Sequence, residues 1–250
     1  MIDLYYDLTP NGRKVHIALE ELGLPYTVHW IDVKNGHQFT SDFTAINPNQ
    51  KIPAIVDHDG PGGRPIRVFE SGSILMYLAE KTGRLLPTDP VERWEATCWV
   101  YWQAANQGPA GGNAAHFVQY APAAGIVDDY ATARYVTEVE RCCRVLDTRL
   151  TGRDYLAGDD MSVADIMCFP WTRVLRGQNV DVTRFPHLAE WSARIAQRPT
   201  AKIKLAPPQH DTSPPKNLGA TDFAALFGVD PRTLGAAGDL LEEGKHDHHQ

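Results

Sequence analysis

Two short stretches in the first third of the chain combine residue types that could hold a small charged ligand. Glu70-Ser71-Gly72 stands between an alternating run, Ile66 and Val68, and an apolar helical stripe at Ile74, Leu75 and Leu78. The spacing predicts a strand followed by a helix with Ser71 as its N-cap. A helix N-terminus with a hydroxyl and unpaired N–H groups attracts a carboxylate, and a glutamate beside it can hold an ammonium. The pair therefore suits the head group of an amino acid. Lys51-Ile52-Pro53 enters the apolar run Ala54-Ile55-Val56. Proline donates nothing to a strand ladder, and a cis Ile52–Pro53 bond would expose the N–H and C=O of Ile52 at the sheet end, where an extended peptide could pair with them. Taken together, the two stretches suit an amino-acid head group continued by a short peptide.

The elements that position these residues can be read outward from them. Ile2 to Tyr6 alternates like a strand, and Thr9 as N-cap with Pro10 at the first helical position starts a helix whose buried stripe is Val15, Ala18, Leu19 and Leu22, stopped by Gly23. Tyr26 to Val33 reads as a second strand, and Asn35 to Asn47, which contains Gln38 and Phe39, as polar and irregular. The order is βαβ followed by ββα, that of an α/β thioredoxin-like domain. Leu86-Pro87-Thr88-Asp89-Pro90 reads as a linker, and no convincing strand follows it. The expected division is a thioredoxin-like domain over 1–86, an all-helical domain over 91–205 and a partly extended tail over 206–250.

In the second domain a helix over Glu92 to Gln107 should end at Gly108-Pro109, with a loop over Ala110 to Pro122. A long helix is expected from Asp128 to Leu150. Ser162-Val163-Ala164-Asp165 forms a capping-box variant, Pro170 should kink the helix it opens, and Pro186 starts another with Leu188, Trp191 and Ile195 inward. Thr221 to Phe227 could dock as one turn, and the ending with His246, His248 and His249 reads as a solvated tail. Trp99, Trp102, Phe117, Tyr120 and Tyr135 could wall a site or simply form core.

Composition excludes several classes. A net charge of −7 supplies no basic field for nucleic acid or anionic membrane, and no run approaches the length of a membrane span. We expect a cytoplasmic protein. The four cysteines, Cys98, Cys142, Cys143 and Cys168, lack CxxC or metal-ligand spacing, so neither a disulfide framework nor a metal site is expected. No cysteine precedes Cys98, so the first domain has no thiol of its own.

Asn47-Pro48-Asn49-Gln50-Lys51-Ile52-Pro53-Ala54, Phe69-Glu70-Ser71-Gly72-Ser73-Ile74-Leu75-Met76-Tyr77-Leu78 and Ser162-Val163-Ala164-Asp165-Ile166 resemble the glutathione-binding and capping motifs of cytosolic glutathione transferases. The resemblance spans about Met1 to Leu205. With Thr9-Pro10-Asn11-Gly12 and Gln38 it is most similar to the bacterial Nu class and its Ure2-related relatives, which implies glutathione binding, a homodimer and glutathione-dependent disulfide-bond reduction with weak transferase or peroxidase activity.

Carried over position by position, the resemblance implies that Ile52, beside Pro53, pairs with the cysteinyl backbone, that Glu70 and Ser71 hold the γ-glutamyl end, and that Lys51 and Gln38 reach the glycyl carboxylate. The alternative for Lys51 is a solvated charge at a strand entry. Arg134 resembles an arginine that reaches glutathione, with a solvated arginine as the alternative. Free thiols titrate near 8.5, so catalysis requires stabilising the thiolate. Thr9 and Asn11 rank ahead of Tyr5 and Tyr6 for that role, with a purely capping Thr9 as the alternative. Two other functions fit the same motifs: a Ure2-like binding or regulatory protein, and a specialised transferase acting on another electrophile.

Overall fold

The computed structural model describes residues 1–205 and 219–229. The tail expectations for 206–218 and for 230–250, including the terminal histidines, lie outside those residues.

Strand β1 (Ile2–Tyr6) is followed by α1 (Pro10–Leu22), β2 (Tyr26–Trp30), α2 (Ser41–Ile46), β3 (Ala54–Asp57), β4 (Ile66–Phe69) and α3 (Ser71–Thr82). The sheet order is β2-β1-β3-β4, with β1 parallel to β2 and antiparallel to β3, and β3 antiparallel to β4. Alternation in β1 buries Ile2, Leu4 and Tyr6 against Val15, Ala18 and Leu19 of α1 and Ile74, Leu75 and Leu78 of α3. On the opposite sheet face Tyr5 meets Phe43 of α2, with ring centroids 5.9 Å apart. Helix α1 starts at Thr9, whose hydroxyl accepts from Gly12 N–H at 3.0 Å, and ends at Gly23 in the left-handed region.

Three local expectations are corrected in this half. The second strand stops at Trp30, although Ile31 N–H still reaches the Tyr6 carbonyl at 2.9 Å. The polar stretch over 35–47 is ordered as a 3₁₀ turn (His37–Phe39) and α2, started by Thr40, whose hydroxyl accepts from Phe43 N–H. Ser71 is the first residue of α3. Its N-cap is Glu70, in a strained conformation at φ 66° and ψ 118°, so Ser71 has helical geometry and turns its side chain inward.

The second half contains α4 (Pro90–Trp102), α5 (Gly108–Ala115), α6 (Ala121–Ala123), α7 (Asp129–Arg149), α8 (Val163–Thr172), α9 (Pro186–Gln197), α10 (Pro199–Lys202) and, beyond the undescribed stretch, α11 (Ala220–Phe227). Gly108-Pro109 does not end the first of these. Two π-helical turns, Gln103–Gln107 and His116–Tyr120, join α4, α5 and α6 end to end, and the expected loop over 110–122 is helical. The physical reason is the widened turn before Pro109. Gly108 N–H bonds the carbonyl of Gln103, five residues back, which makes room for a ring that an α-turn would reject. The expected docked turn at the C-terminal end is longer, a two-turn helix α11 that places Phe223 and Phe227 against His116.

Helix α8 lies at the centre of the assembly. Every residue of it except Trp171 is buried, the pattern of a helix covered on all sides, and it packs against α1, α3 and α4. Its capping box is formed as expected: Ser162 Oγ accepts from Ala164 N–H, and Asp165 accepts from Ser162 N–H at 3.0 Å. Asp165 also accepts from Leu156 N–H at 3.0 Å and from Trp191 Nε1 at 2.9 Å.

Candidate active site

The strand pairing brings four separated loops to one edge of the sheet. Tyr5 of β1 faces Ala54 of β3, and Ala54 faces Phe69 of β4, while β2 ends beside β1. Thr9 therefore leaves the end of β1, Gln38 follows β2, Ile52-Pro53 enters β3, and Glu70-Ser71 leaves β4. The carboxyl ends of strands are where open α/β sheets place ligands.

Each expected residue has a definite place there. The Ile52–Pro53 peptide is cis, and Ile52 takes part in none of the backbone hydrogen bonds among the described residues. Glu70 and Lys51 are exposed, and Ser71 is buried at the start of α3. Gln38 is buried, with its carbonyl oxygen unpaired among the described residues. An unpaired buried acceptor costs about 1–3 kcal/mol, which a ligand donor would recover. Thr9 uses its oxygen as the cap of α1, and its own proton has no acceptor among the described residues. The first turn of α1 carries no acidic side chain, so its dipole is open to an anion. Tyr6 is buried, and burial pushes its phenol up to about 12, which removes it as a ready donor of charge stabilisation. Tyr5 stacks on His29 instead.

Arg134 is not brought to this edge by any described contact. It is half-exposed on α7 and pairs with Glu138 at 3.6 Å, one helical turn away. The aromatic residues divide into pairs, Trp99 with Trp102 and Phe117 with Tyr135, and Tyr120 packs on Phe227.

Three residues that join the site were not singled out from the sequence: Lys14, Gln103 and Trp171. Lys14 Nζ donates to Asn11 Oδ1 at 2.8 Å, to Ser71 Oγ at 3.2 Å and to Gln103 Oε1 at 2.7 Å. Trp171 Nε1 donates to the same Asn11 oxygen at 2.9 Å. Trp171 can sit there because residue 111 is glycine, where a Cβ would come within 2.6 Å of its ring. The signal for Lys14 lies in the spacing. It precedes Ala18 and Leu22 by four and eight residues, which puts a lysine on the buried stripe of α1.

A cavity of about 590 Å³ opens beside Thr9 and Pro10, between α1, α8 and the segment after α9. Its floor is largely apolar, with Leu8, Phe169 and Val174, and Arg13, Arg173, Lys202 and Lys204 supply cations at its edge. The cysteines are all free. Cys168 is fully buried, and burial pushes its thiol well above the usual range. Burial likewise raises Cys142 to about 11 and Cys143 to about 12. These three thiols are inert core.

A thioredoxin-like sheet closed on one side by an all-helical unit, with polar groups converging at the strand ends, defines a class of two-part proteins. The descriptions "Glutathione S-transferase, N-terminal domain" and "Glutathione S-transferase, C-terminal domain" match residues 9–81 and 128–199. The chain belongs to the glutathione S-transferase family. It is 44% identical over 200 residues to the disulfide-bond oxidoreductase YfcG of Escherichia coli K12, a match covering 80% of this chain and 92% of that protein. It is 40% identical to the disulfide-bond oxidoreductase YghU of the same organism, covering 80% and 73% respectively. Among solved structures, a Pseudomonas putida glutathione transferase with one glutathione disulfide bound per subunit superposes with a TM-score of 0.77 at 40% identity, covering 80% of this chain and 89% of that one. A Burkholderia graminis glutathione transferase with two glutathione molecules bound per subunit gives 0.77 at 44% identity, covering 80% and 85%.

Proposed function

We propose that this protein is a glutathione-dependent disulfide-bond reductase that uses the sulfur of bound glutathione. The observation that carries this reading is a sheet-end cradle of donors without a usable protein thiol: Thr9 and Asn11 open α1, while Cys168 is fully buried with its thiol held protonated. In this reading residues 1–86 bind glutathione and 91–205 close the site. Glu70 holds the γ-glutamyl ammonium, Ser71 the adjacent carboxylate, Ile52 the cysteinyl backbone, and Lys51 and the side-chain NH₂ of Gln38 the glycyl carboxylate. Arg134 belongs to the site only if its ion pair with Glu138 opens.

The chemistry balances with two glutathiones. One bound thiolate attacks a substrate disulfide, forming a glutathione mixed disulfide and releasing one substrate thiolate, which takes up a proton. A second glutathione thiolate attacks the glutathione sulfur of that intermediate, giving glutathione disulfide and the second substrate thiol. Relatives that bind two glutathiones or one glutathione disulfide support this stoichiometry. The apolar floor of the neighbouring cavity favours one secondary activity, transfer of glutathione to an apolar electrophile.

The same reading includes a homodimer in the cytoplasm. Val91, Trp94 and Tyr101 lie along α4 with 70–72% of their surface exposed, and Tyr130 at the start of α7 is 81% exposed, an apolar surface suited to a second copy. Free cysteines suit a reducing compartment. Among the described residues no helix is long and apolar enough to cross a membrane.

The test is reduction of hydroxyethyl disulfide with glutathione, followed by consumption of NADPH through a coupled glutathione disulfide reductase. A variant with all four cysteines replaced by alanine should keep most of the rate once shown to be folded. Loss of activity in that folded variant would sink the proposal.

A further inference from the structure

Lys14 is 1% exposed, yet no carboxylate pairs with it among the described residues. An ammonium has three N–H bonds, and here they end on three neutral oxygens, Asn11 Oδ1, Ser71 Oγ and Gln103 Oε1. The titratable groups within electrostatic reach of it are Cys168 and Glu70. Cys168 is buried and protonated, and Glu70 is exposed to solvent. A buried positive charge left uncompensated in this way is strongly unfavourable, and it becomes favourable when an anion arrives nearby.

Its partners show where that anion belongs. The two acceptor positions of the Asn11 carbonyl are both occupied, by Lys14 at 2.8 Å and Trp171 at 2.9 Å. Those two donors determine which end of the amide is oxygen, so the NH₂ of Asn11 is the end left to meet a ligand at the start of α1. On its other side Lys14 holds Ser71 Oγ at the start of α3. Gln103, the third acceptor, comes from the π-helical turn after α4, and Trp171 from α8. The arrangement of the first-domain donors is thus completed by the helical half of the protein.

We propose that Lys14 is a positioning residue for the glutathione thiolate: its ammonium locks Asn11 in its donor orientation, fixes the Ser71 oxygen, whose hydroxyl here donates to Met167 Sδ at 3.9 Å, and supplies, from behind them, the positive charge that the bound sulfur and γ-glutamyl carboxylate compensate. This rests on the glutathione site described above. Burial brings the free lysine down to about 7, so an incoming thiolate also favours its protonation.

The experiment is ultraviolet titration of the thiolate of bound glutathione across about pH 5 to 9, where free thiols ionise only at the upper end. It compares the wild type with Lys14→Met and Trp171→Phe. The wild type should show a thiol pKa well below that of free glutathione. Lys14→Met should raise it by about one unit or more, a tenfold change in the ionisation constant. Trp171→Phe should raise it by a smaller amount, because Asn11 then keeps one of its two tethers, and it carries the test alone if the methionine variant does not fold. A wild-type shift that persists undiminished in the folded variants overturns the role of Lys14 while leaving the glutathione site standing. No shift in the wild type overturns both.

Discussion

Lys14 and Asp165 are both buried charges whose hydrogen-bond partners are all neutral, and they serve opposite ends. Asp165 is 0% exposed and accepts from Ser162 N–H, Ser162 Oγ, Leu156 N–H and Trp191 Nε1. Every one of those donors belongs to the helical half and faces interior. Burial pushes the carboxyl upward while four donors hold it down. Lys14 is satisfied just as completely, but two of its partners, Asn11 and Ser71, are proposed to touch the ligand. A saturated charge among structural partners fastens a fold. The same charge among ligand-facing partners biases a site.

The contrast can be broken most forcefully at Asp165. Replacing it by alanine strands buried donors, so stability should fall by about 3–5 kcal/mol in denaturant titration, with the KM for glutathione of the folded fraction unchanged. A loss below about 1 kcal/mol would remove the fastening role.

Next in size is a pH effect at Lys14. Its pKa drops from 10.5 to about 7 on folding, so the cost of burying the ammonium is fully present below about 7 and disappears as pH rises from there towards 10.5. Without glutathione, the wild type should gain stability relative to Lys14→Met between pH 7 and pH 10, by ~3 kcal/mol after allowing for relaxation around the charge. Parallel stability curves for the two proteins would show that the lysine is neutral or hydrated.

Smaller effects separate catalysis from stability at the start of α1. Thr9→Ala and Asn11→Ala should each slow disulfide reduction about tenfold or more, equivalent to ~1.4 kcal/mol or more. The lost cap at Thr9 should cost ~1 kcal/mol of stability. The donor assignment fails if both variants reduce disulfides at the wild-type rate.

Binding affinity sharpens the comparison at the ligand's outer contacts. In calorimetry Glu70→Ala should weaken glutathione about tenfold, and Lys51→Ala, at an exposed charge, less than about threefold. Unchanged affinity for both Glu70→Ala and Ser71→Ala would move the γ-glutamyl end elsewhere.

Local chemistry made much of this structure legible. Thr9 with Pro10 and Gly23 delimits α1, Asp165 answers Ser162, and the Ile52-Pro53 entry and the Glu70-Ser71 exit lie at one sheet edge because each adjoins a strand end. What escaped depends on contacts between distant segments. Lys14 stands at stripe spacing, but nothing in the sequence ties it to Gln103, 89 positions away, or ties Asn11 to Trp171. Ser71 reads as a cap because its own carbonyl neighbours do not reveal that Glu70 bears the strained dihedral. Gly108-Pro109 reads as a stop because breaker residues carry no sign of the widened turn that admits them.

Those widened turns also set an angular phase. A π-helical turn amounts to one residue inserted into an α-helix, and each residue advances the helix by about 100°. The face that α5 offers to Trp171 is therefore dialled by the extra residue within Gln103–Gln107, which leaves Gly111 against the indole. Removing one residue from that turn would rotate everything downstream by roughly a quarter turn, swinging Gly111 off the indole, bringing Gly112 towards it and turning away the face that α5 packs on α7. Length in this helix is thus as consequential as identity, because a single-residue deletion there would re-face α5 as a whole while leaving every residue that touches the sulfur site in place in the sequence.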